Sequence, residues 1–408
     1  MERIADLERR YVLEVLDSQF RSSAHRNMTG RLEETFARLF NCRYAIAFVN
    51  GTATLHAALA AAGVGPGDEV IVPPLTMAST TFAVLHAGAL PVFADIDPHT
   101  WTISPQSIEE RITPRTKAVI PVAIYGLSPD MDGIMEMAFR HGLFVLEDDA
   151  QCFLGKYKGR IVGSIGHAAS FSFQTSKHVT CGEGGIVTTN NGELACAIRR
   201  FNSLGYAAVG ARPGEGRISK DVIQDPDYSR HVSIGWNYRL SELCAAAALG
   251  QCERLSELVA QRVSAARRYK EAMAGCDWLI PQFVLPDIEH SYWTFAVKLA
   301  RPDLDWREFR MKFMECGGGG VYSAWKLTYL EPVFQGRRIS PEQTQVYGPG
   351  LCPTAETVQS RLLQFKTNYF TADAIEEASD ALRKTIDYFD ASHATSRVGS
   401  TSPSSERR

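Results

Sequence analysis

Between Cys42 and Asn190 short apolar runs alternate with longer stretches of helical period. Residues 44–49, 69–72, 91–94, 117–123 and 143–146 predict strands, and 54–62 and 131–141 predict helices between them. The strand candidates are apolar almost throughout, which is the pattern of strands covered on both faces. Strand–helix alternation of that kind predicts an α/β fold with a mainly parallel central sheet. Two further strand candidates, 169–173 and 185–189, are separated by only about a dozen residues, too few for a helical crossover, so a hairpin-like departure is expected there. From Arg239 to Ala274 the chain reads as one or two long helices, rich in Ala, Leu, Glu and Arg and free of proline. Strand candidates at 291–299 and 320–323 follow. A closing amphipathic helix places Ile375, Ala378, Leu382, Ile386 and Phe389 on one face.

This pattern divides the chain into an N-terminal helical segment (1–30), a large α/β domain (31–250), and a connecting helix with a small α+β domain (251–390). A tail from 391 to 408 is too poor in apolar surface to offset its own ordering and is expected to be disordered. The whole, 408 residues with 45% hydrophobic and 22% charged residues, has an ordinary globular balance. A net charge of -3 gives no electrostatic footprint for nucleic acid. No run reaches the roughly 20 apolar residues of a membrane span, and the N-terminus mixes both charge signs, unlike a secretory leader. A cytoplasmic protein is expected. The nine cysteines stand singly, with no CxxC pair, and are expected to be free thiols that mostly serve as small apolar residues.

Three segments carry candidate chemistry. In 171–185 an apolar strand runs into a polar turn, then Lys177, then Gly182-Glu183-Gly184-Gly185. A lysine at a strand's carboxyl end projects toward the crevice of an open sheet. Ser172, Thr175 and Ser176 suit an anion, and the glycines let the backbone approach a ligand. Such an amine, once desolvated, can lose its proton near neutrality and attack an aldehyde. In 146–155 Asp148 and Asp149 follow another strand; carboxylates there bind a metal, start a helix, or hold the protonated nitrogen of a pyridine ring. In 50–54 the sequence Asn50-Gly51-Thr52-Ala53-Thr54 opens a helix, where free N–H groups bind phosphate, although Thr52 would equally serve as a plain helix cap. The glycine-rich stretch 63–67 precedes a strand and contains Pro66, so it is a loop and not a dinucleotide fingerprint.

Taken in order, these segments resemble the DegT/DnrJ/EryC1/StrS family of sugar aminotransferases, enzymes of the aspartate-aminotransferase fold that use pyridoxal 5′-phosphate (PLP). The likeness rests on Gly51-Thr52-Ala53-Thr54-Leu55, Glu147-Asp148-Asp149-Ala150-Gln151, Phe171-Ser172-Phe173 with Lys177 and Gly182–Gly185, and Gly235-Trp236-Asn237-Tyr238-Arg239-Leu240. It implies that Lys177 is the Schiff-base lysine and proton shuttle, and that Asp148 pairs with the pyridine nitrogen. It further implies that Gln151 lies by the ring oxygen, that Gly51, Thr52 and Ser172 hold the phosphate, and that Ala53 and Met77 also belong to the cofactor site. Asn237 would reach the cofactor phosphate of a neighbouring subunit, so a homodimer with shared sites is implied. The partners are then a small-molecule amino donor, glutamate or glutamine, and a keto acceptor, with no nucleic acid, membrane or metal.

Two departures from the family pattern stand out. Met77 follows Thr76 where an aromatic residue usually covers the cofactor ring; a thioether also packs on a ring. The stretch Ser323-Ala324-Trp325-Lys326 differs from the common sugar-nucleotide members, and Gln174 looks more like enzymes acting on cyclitols. The acceptor is therefore a keto group on a nucleotide-linked sugar or on a cyclitol. Two alternatives are a PLP-dependent sugar dehydratase and a non-catalytic ligand-binding relative. In the dehydratases the lysine position resembles histidine, whereas here Lys177 is present and His178 follows it.

Overall fold

The computed structural model describes residues 2–20, 27–216, 218–336 and 338–399, with side chains described as far as 392. Its centre is a seven-stranded sheet. In chain order β1 (Tyr44–Phe48), β2 (Glu69–Val72), β3 (Leu90–Phe93), β4 (Thr116–Val119) and β5 (Phe144–Asp148) come first. A small hairpin, β6 (Lys156–Tyr157) and β7 (Arg160–Ile161), precedes β8 (Ala168–Ser172) and β9 (Gly185–Thr189). The spatial order is β1-β9-β8-β5-β4-β2-β3. All neighbouring pairs are parallel except β8/β9 and β9/β1, so β9 alone runs against the others. The near-continuous apolar strands are buried on both faces, as their composition requires, and β9 is the hairpin-like departure expected from the short link.

The sheet differs from the sequence pattern at two points that matter for the site. The fourth strand stops at Val119 instead of running to 123, because Pro121 has no N–H to give a ladder and the chain turns into a 3-10 turn at Ile124–Gly126. The fifth strand continues past Leu146, so that Asp148 is its last residue. The helical stretch after Arg239 divides into Glu242–Glu253 and Leu255–Ala272 about a non-helical Arg254.

Beyond it, β10 (Leu279–Pro281), β11 (Ile288–Glu289), β12 (Thr294–Leu299), β13 (Val321–Ser323) and β14 (Leu362–Lys366) follow. Four of them form an antiparallel sheet in the order β10-β12-β14-β13, while β11 joins the β6/β7 hairpin. The central strand β14 escaped the sequence pattern because Gln364 interrupts its apolar run. The last helix buries Ala378, Leu382, Ile386 and Phe389 against this second sheet. It runs from Ala372 to Gly399, so the expected tail does not begin at 391; the helical hydrogen-bond ladder carries on past the apolar stripe. The remainder of that tail, 400–408, lies outside the described residues. The N-terminal helix Asp6–Asp17 packs Tyr11 and Val15 into the same core as Ala245 and Leu249, on the flank of the large sheet. The nine cysteines are all free.

Candidate active site

At the carboxyl ends of β5 and β8 lies a cavity of about 440 Å³ lined by Asn50, Gly51, Thr52, Met77, Asp148, Gln151, Ser172, Lys177, Trp293 and Trp325, among others. The fold puts it where the strands of an open α/β sheet end and helices begin. The segments 50–54, 146–155 and 171–185 singled out in the sequence all contribute to it.

The helix Gly51–Ala61 starts directly after β1 and points its N-terminus into the cavity. Its cap is Asn50, whose side-chain oxygen accepts the Ala53 N–H at 2.8 Å. Thr52 is therefore not the cap, and Ala53, with its amide taken, does not line the cavity. The cap uses the Ala53 N–H, so any part of Ala53 in the expected cofactor site would not be through that group. The N–H groups of Gly51 and Thr52 make no hydrogen bond among the described residues, and the helix dipole adds to their pull on an anion. Gly51 is required by close approach, since a Cβ there would sit 2.9 Å from Ser172 Cβ. A phosphate fits this cradle of two free N–H groups and two hydroxyls.

Asp148 is buried, and its Oδ2 accepts a hydrogen bond from Thr80 Oγ1 at 2.7 Å. Thr80 in turn meets Thr76 Oγ1 at 3.1 Å. Burial pushes the Asp148 carboxyl up, against the pull of the Thr80 hydroxyl, the Ala150 N–H and the Lys177 amine. A protonated ring nitrogen would give this carboxylate the cation that burial denies it. Asp149 points away from the cavity. Its Oδ2 has no partner among the described residues, and burial beside Glu147 pushes it well above the carboxylate range. Burial pushes Glu147 up as well, but the N–H groups of Gly163, Ile165 and Gly166 donate to it and pull it back, so Asp149 is the more strongly raised of the two. Gln151 accepts the Tyr125 N–H at 2.7 Å, which leaves its amide nitrogen without a partner among the described residues.

Lys177 is 8% exposed and forms no ion pair among the described residues; its Nζ lies 4.6 Å from the centre of the Trp293 ring. Burial pushes its ammonium down to about 8, with Asp148 opposing and Arg262 assisting. An appreciable neutral fraction is thus present near physiological pH. His178 turns the other way: its Nε2 is 3.0 Å from the Ser291 carbonyl and its ring packs on Phe153. Met77 is half-exposed at the cavity's rim. Gln174 lines the wall but folds its amide back onto Thr175 and Ser176. Asn237 does not line this cavity; it is exposed, in a stretch that also exposes Val232, Ile234 (90%) and Trp236.

Sequence reasoning missed Thr80, Trp293 and Arg262, and it named Asn50 and Trp325 only within their segments, without a role at this cavity. Thr76 lies in the bend before the helix Ser79–His86 that carries Thr80, so no helical spacing announced their pairing. The two tryptophans come from the small domain, and no local pattern links them to Lys177.

A buried amine, a buried carboxylate and a phosphate cradle around one cavity at the end of a parallel sheet define a PLP-type site. Comparison with known proteins agrees. The DegT/DnrJ/EryC1/StrS aminotransferase family model matches residues 2–378, and the chain belongs to that family. It is 39% identical over 300 residues to GDP-perosamine synthase of Caulobacter vibrioides, covering 73% of this chain and 76% of that protein. It is 40% identical over 288 residues to the spore coat polysaccharide biosynthesis protein SpsC of Bacillus subtilis, covering 71% and 72%. An aminotransferase of Psychrobacter cryohalolentis, known from its X-ray structure, superposes with a TM-score of 0.82 at 30% identity, covering 95% and 97% of the two chains. The protein is a PLP-dependent aminotransferase. Among the described residues no helix is long and apolar enough to cross a membrane, and no cluster of metal-ligating side chains occurs.

Proposed function

We propose that the enzyme moves an amino group from glutamate or glutamine to the keto carbon of a sugar, with Lys177 as the residue that holds PLP. The carrying observation is the Lys177 amine, buried and unpaired by any acid, in one cavity with Asp148 and the N-terminus of Gly51–Ala61. PLP supplies there a ring that takes up the electrons left when a substrate's α-proton departs. Asp148 would keep a proton on the ring nitrogen, and Thr80 holds Asp148 in place. Gly51 and Thr52, through N–H groups, and Ser172, through its hydroxyl, bind the phosphate. Gln151 offers its free amide N–H to the ring oxygen. With PLP bound, Lys177 would be the amine that holds it, and its Nζ could receive and return a proton, work suited to a pKa near 8. His178, bonded to Ser291 on the far side, is not placed to share that work, which favours transamination over dehydration.

A sugar acceptor is favoured over a cyclitol by the names of the two relatives at 39% and 40% identity, one a perosamine synthase and one a polysaccharide biosynthesis protein. Trp293 and Trp325, with ring centres 6.1 Å apart, offer aromatic faces to the C–H face of a pyranose. The exposed apolar stretch around Asn237 supports a homodimer in which Asn237 serves the partner's site. The test has two stages. Borohydride reduction of the PLP-loaded protein, followed by peptide mapping, is expected to find the phosphopyridoxyl label on Lys177. Glutamate and glutamine are then offered with nucleotide-linked keto sugars, free keto sugars and keto cyclitols. A label elsewhere, or amination of cyclitols alone, would overturn the respective part of the reading.

A further inference from the structure

Buried cations ordinarily face an acid, because an unpaired charge inside a protein costs several kcal/mol. Arg262, on the helix Leu255–Ala272, is 4% exposed and has no carboxylate partner among the described residues. Carbonyls surround it instead. Its Nη2 donates to the carbonyls of Ser176 (3.0 Å) and Lys177 (2.9 Å). Its Nη1 donates to the carbonyl of Trp293 (2.7 Å) and to Thr367 Oγ1 (3.2 Å). The Trp293 indole N–H closes the circuit by donating to the Ser176 carbonyl at 2.9 Å. Arg3 supports the same loop by donating to the carbonyl of Thr175.

Two parts of the chain far apart in sequence thus converge on one guanidinium: the loop that carries Lys177, and the start of β12, which Trp293 precedes. A planar fork with fixed donors can hold four acceptors from two directions; a lysine ammonium or an apolar side chain cannot. We propose that Arg262 is the positioning residue of Lys177, locking the lysine's own backbone and the Trp293 backbone to one rigid group, with the indole held through the Ser176 carbonyl, so that the amine stands beneath the indole and open to the cavity. This rests on Lys177 being the residue that holds PLP. Arg262 touches neither the cavity's phosphate cradle nor Asp148; it acts through Lys177 and Trp293.

A second consequence follows from charge. The groups around the Lys177 amine are Asp148 on β5, Glu183 on the glycine loop, Trp293 on the small domain, His178 beside it in sequence, and Arg262 behind it, with Arg3 beyond. Asp148 favours the ammonium and Arg262 disfavours it, so loss of the guanidinium makes the amine harder to deprotonate.

Full-length, cofactor-free wild type, Arg262→Met and Arg262→Lys are acylated with limiting acetic anhydride over a pH series, and Lys177 labelling is read by peptide mass spectrometry. In Arg262→Met the labelling midpoint rises, with about threefold less Lys177 labelled at pH 8. In Arg262→Lys, which keeps the charge and loses the fork, the midpoint returns toward the wild-type value. PLP affinity, followed by visible absorption, falls about tenfold in both variants. If Arg262→Met melts earlier but labels Lys177 with the wild-type midpoint, Arg262 is a structural staple and the proposal fails. Should Arg262→Met not fold, unchanged PLP affinity in Arg262→Lys overturns it equally. Absence of the phosphopyridoxyl label from Lys177 in wild type would instead sink the reading on which the proposal rests.

Discussion

Lys177 should weaken the protein that it makes active. Its ammonium has a pKa of 10.5 in the open chain and about 8 in the folded, cofactor-free protein, because burial withholds water from the charge. Below pH 8 the amine is protonated in both states and the folded state bears the full burden of a buried cation. Between 8 and 10.5 the unfolded chain binds more protons than the folded one, so stability rises with pH, and above 10.5 the burden is gone. The separation of the two values corresponds to about 3 kcal/mol at roughly 1.36 kcal/mol per pH unit. Lys177→Met keeps the unbranched stem under Trp293 and removes the charge. It also forgoes the cation–π contact with that ring, worth about 0.5–1 kcal/mol. The net expectation is a cofactor-free variant about 2–3 kcal/mol more stable than wild type at pH 7, with the gap closing between pH 8 and 10.5. Urea unfolding of both proteins, freed of PLP, at pH 7, 8.5 and 10 measures it. Equal stability at pH 7, or a gap that does not change with pH, would refute the argument.

Three other expectations follow from particular contacts. Thr80→Val removes the hydroxyl that donates to Asp148 at 2.7 Å, a bond to a charged group worth about 1.5–3 kcal/mol. PLP affinity should fall at least about tenfold, and the loss should shrink below about threefold in an Asp148→Asn background, where no carboxylate remains to be held. Asp149 is buried with an unpartnered oxygen and a pKa well above the carboxylate range, so Asp149→Asn should melt above wild type at pH 8. That gap closes as pH falls toward 4, since both states then carry the proton; a gap that widens on acidification contradicts the assignment. If Asn237 serves the partner's cofactor, Lys177→Ala and Asn237→Ala are each inactive alone, yet a mixed and reassociated 1:1 sample regains up to about a quarter of wild-type activity, the share of intact sites in randomly paired dimers. No recovery after verified subunit exchange would show that Asn237 acts within its own chain or not at all.

The main sheet was legible because its strands are apolar on both faces and its helices have an opposite period, so each local pattern permits a single element type. The small domain was harder to read. β14 carries Gln364 in the middle of its apolar run, and its identity as a central strand comes from its pairing with β12 and β13 on either side. The course of the chain after Val119 turned on Pro121, whose missing N–H ends a strand that hydrophobicity alone would have extended.

The site divides in the same way. Lys177, Asp148, Gln151, Gly51 and Thr52 were visible from sequence because each stands at a strand end or helix start whose geometry follows from neighbouring residues. Which N–H the Asn50 cap would consume, and hence that Ala53 is not free, depended on a side-chain rotamer set by the folded turn. Thr80, Trp293 and Arg262 belong to the tertiary structure alone: Arg262 lies 85 positions from Lys177 and Trp293 lies 117 from Ser176. Local pattern determines what each segment becomes and which reactive groups it presents. The proton affinity and aim of the lysine are decided only when burial removes water and a cation from a distant helix closes on its backbone.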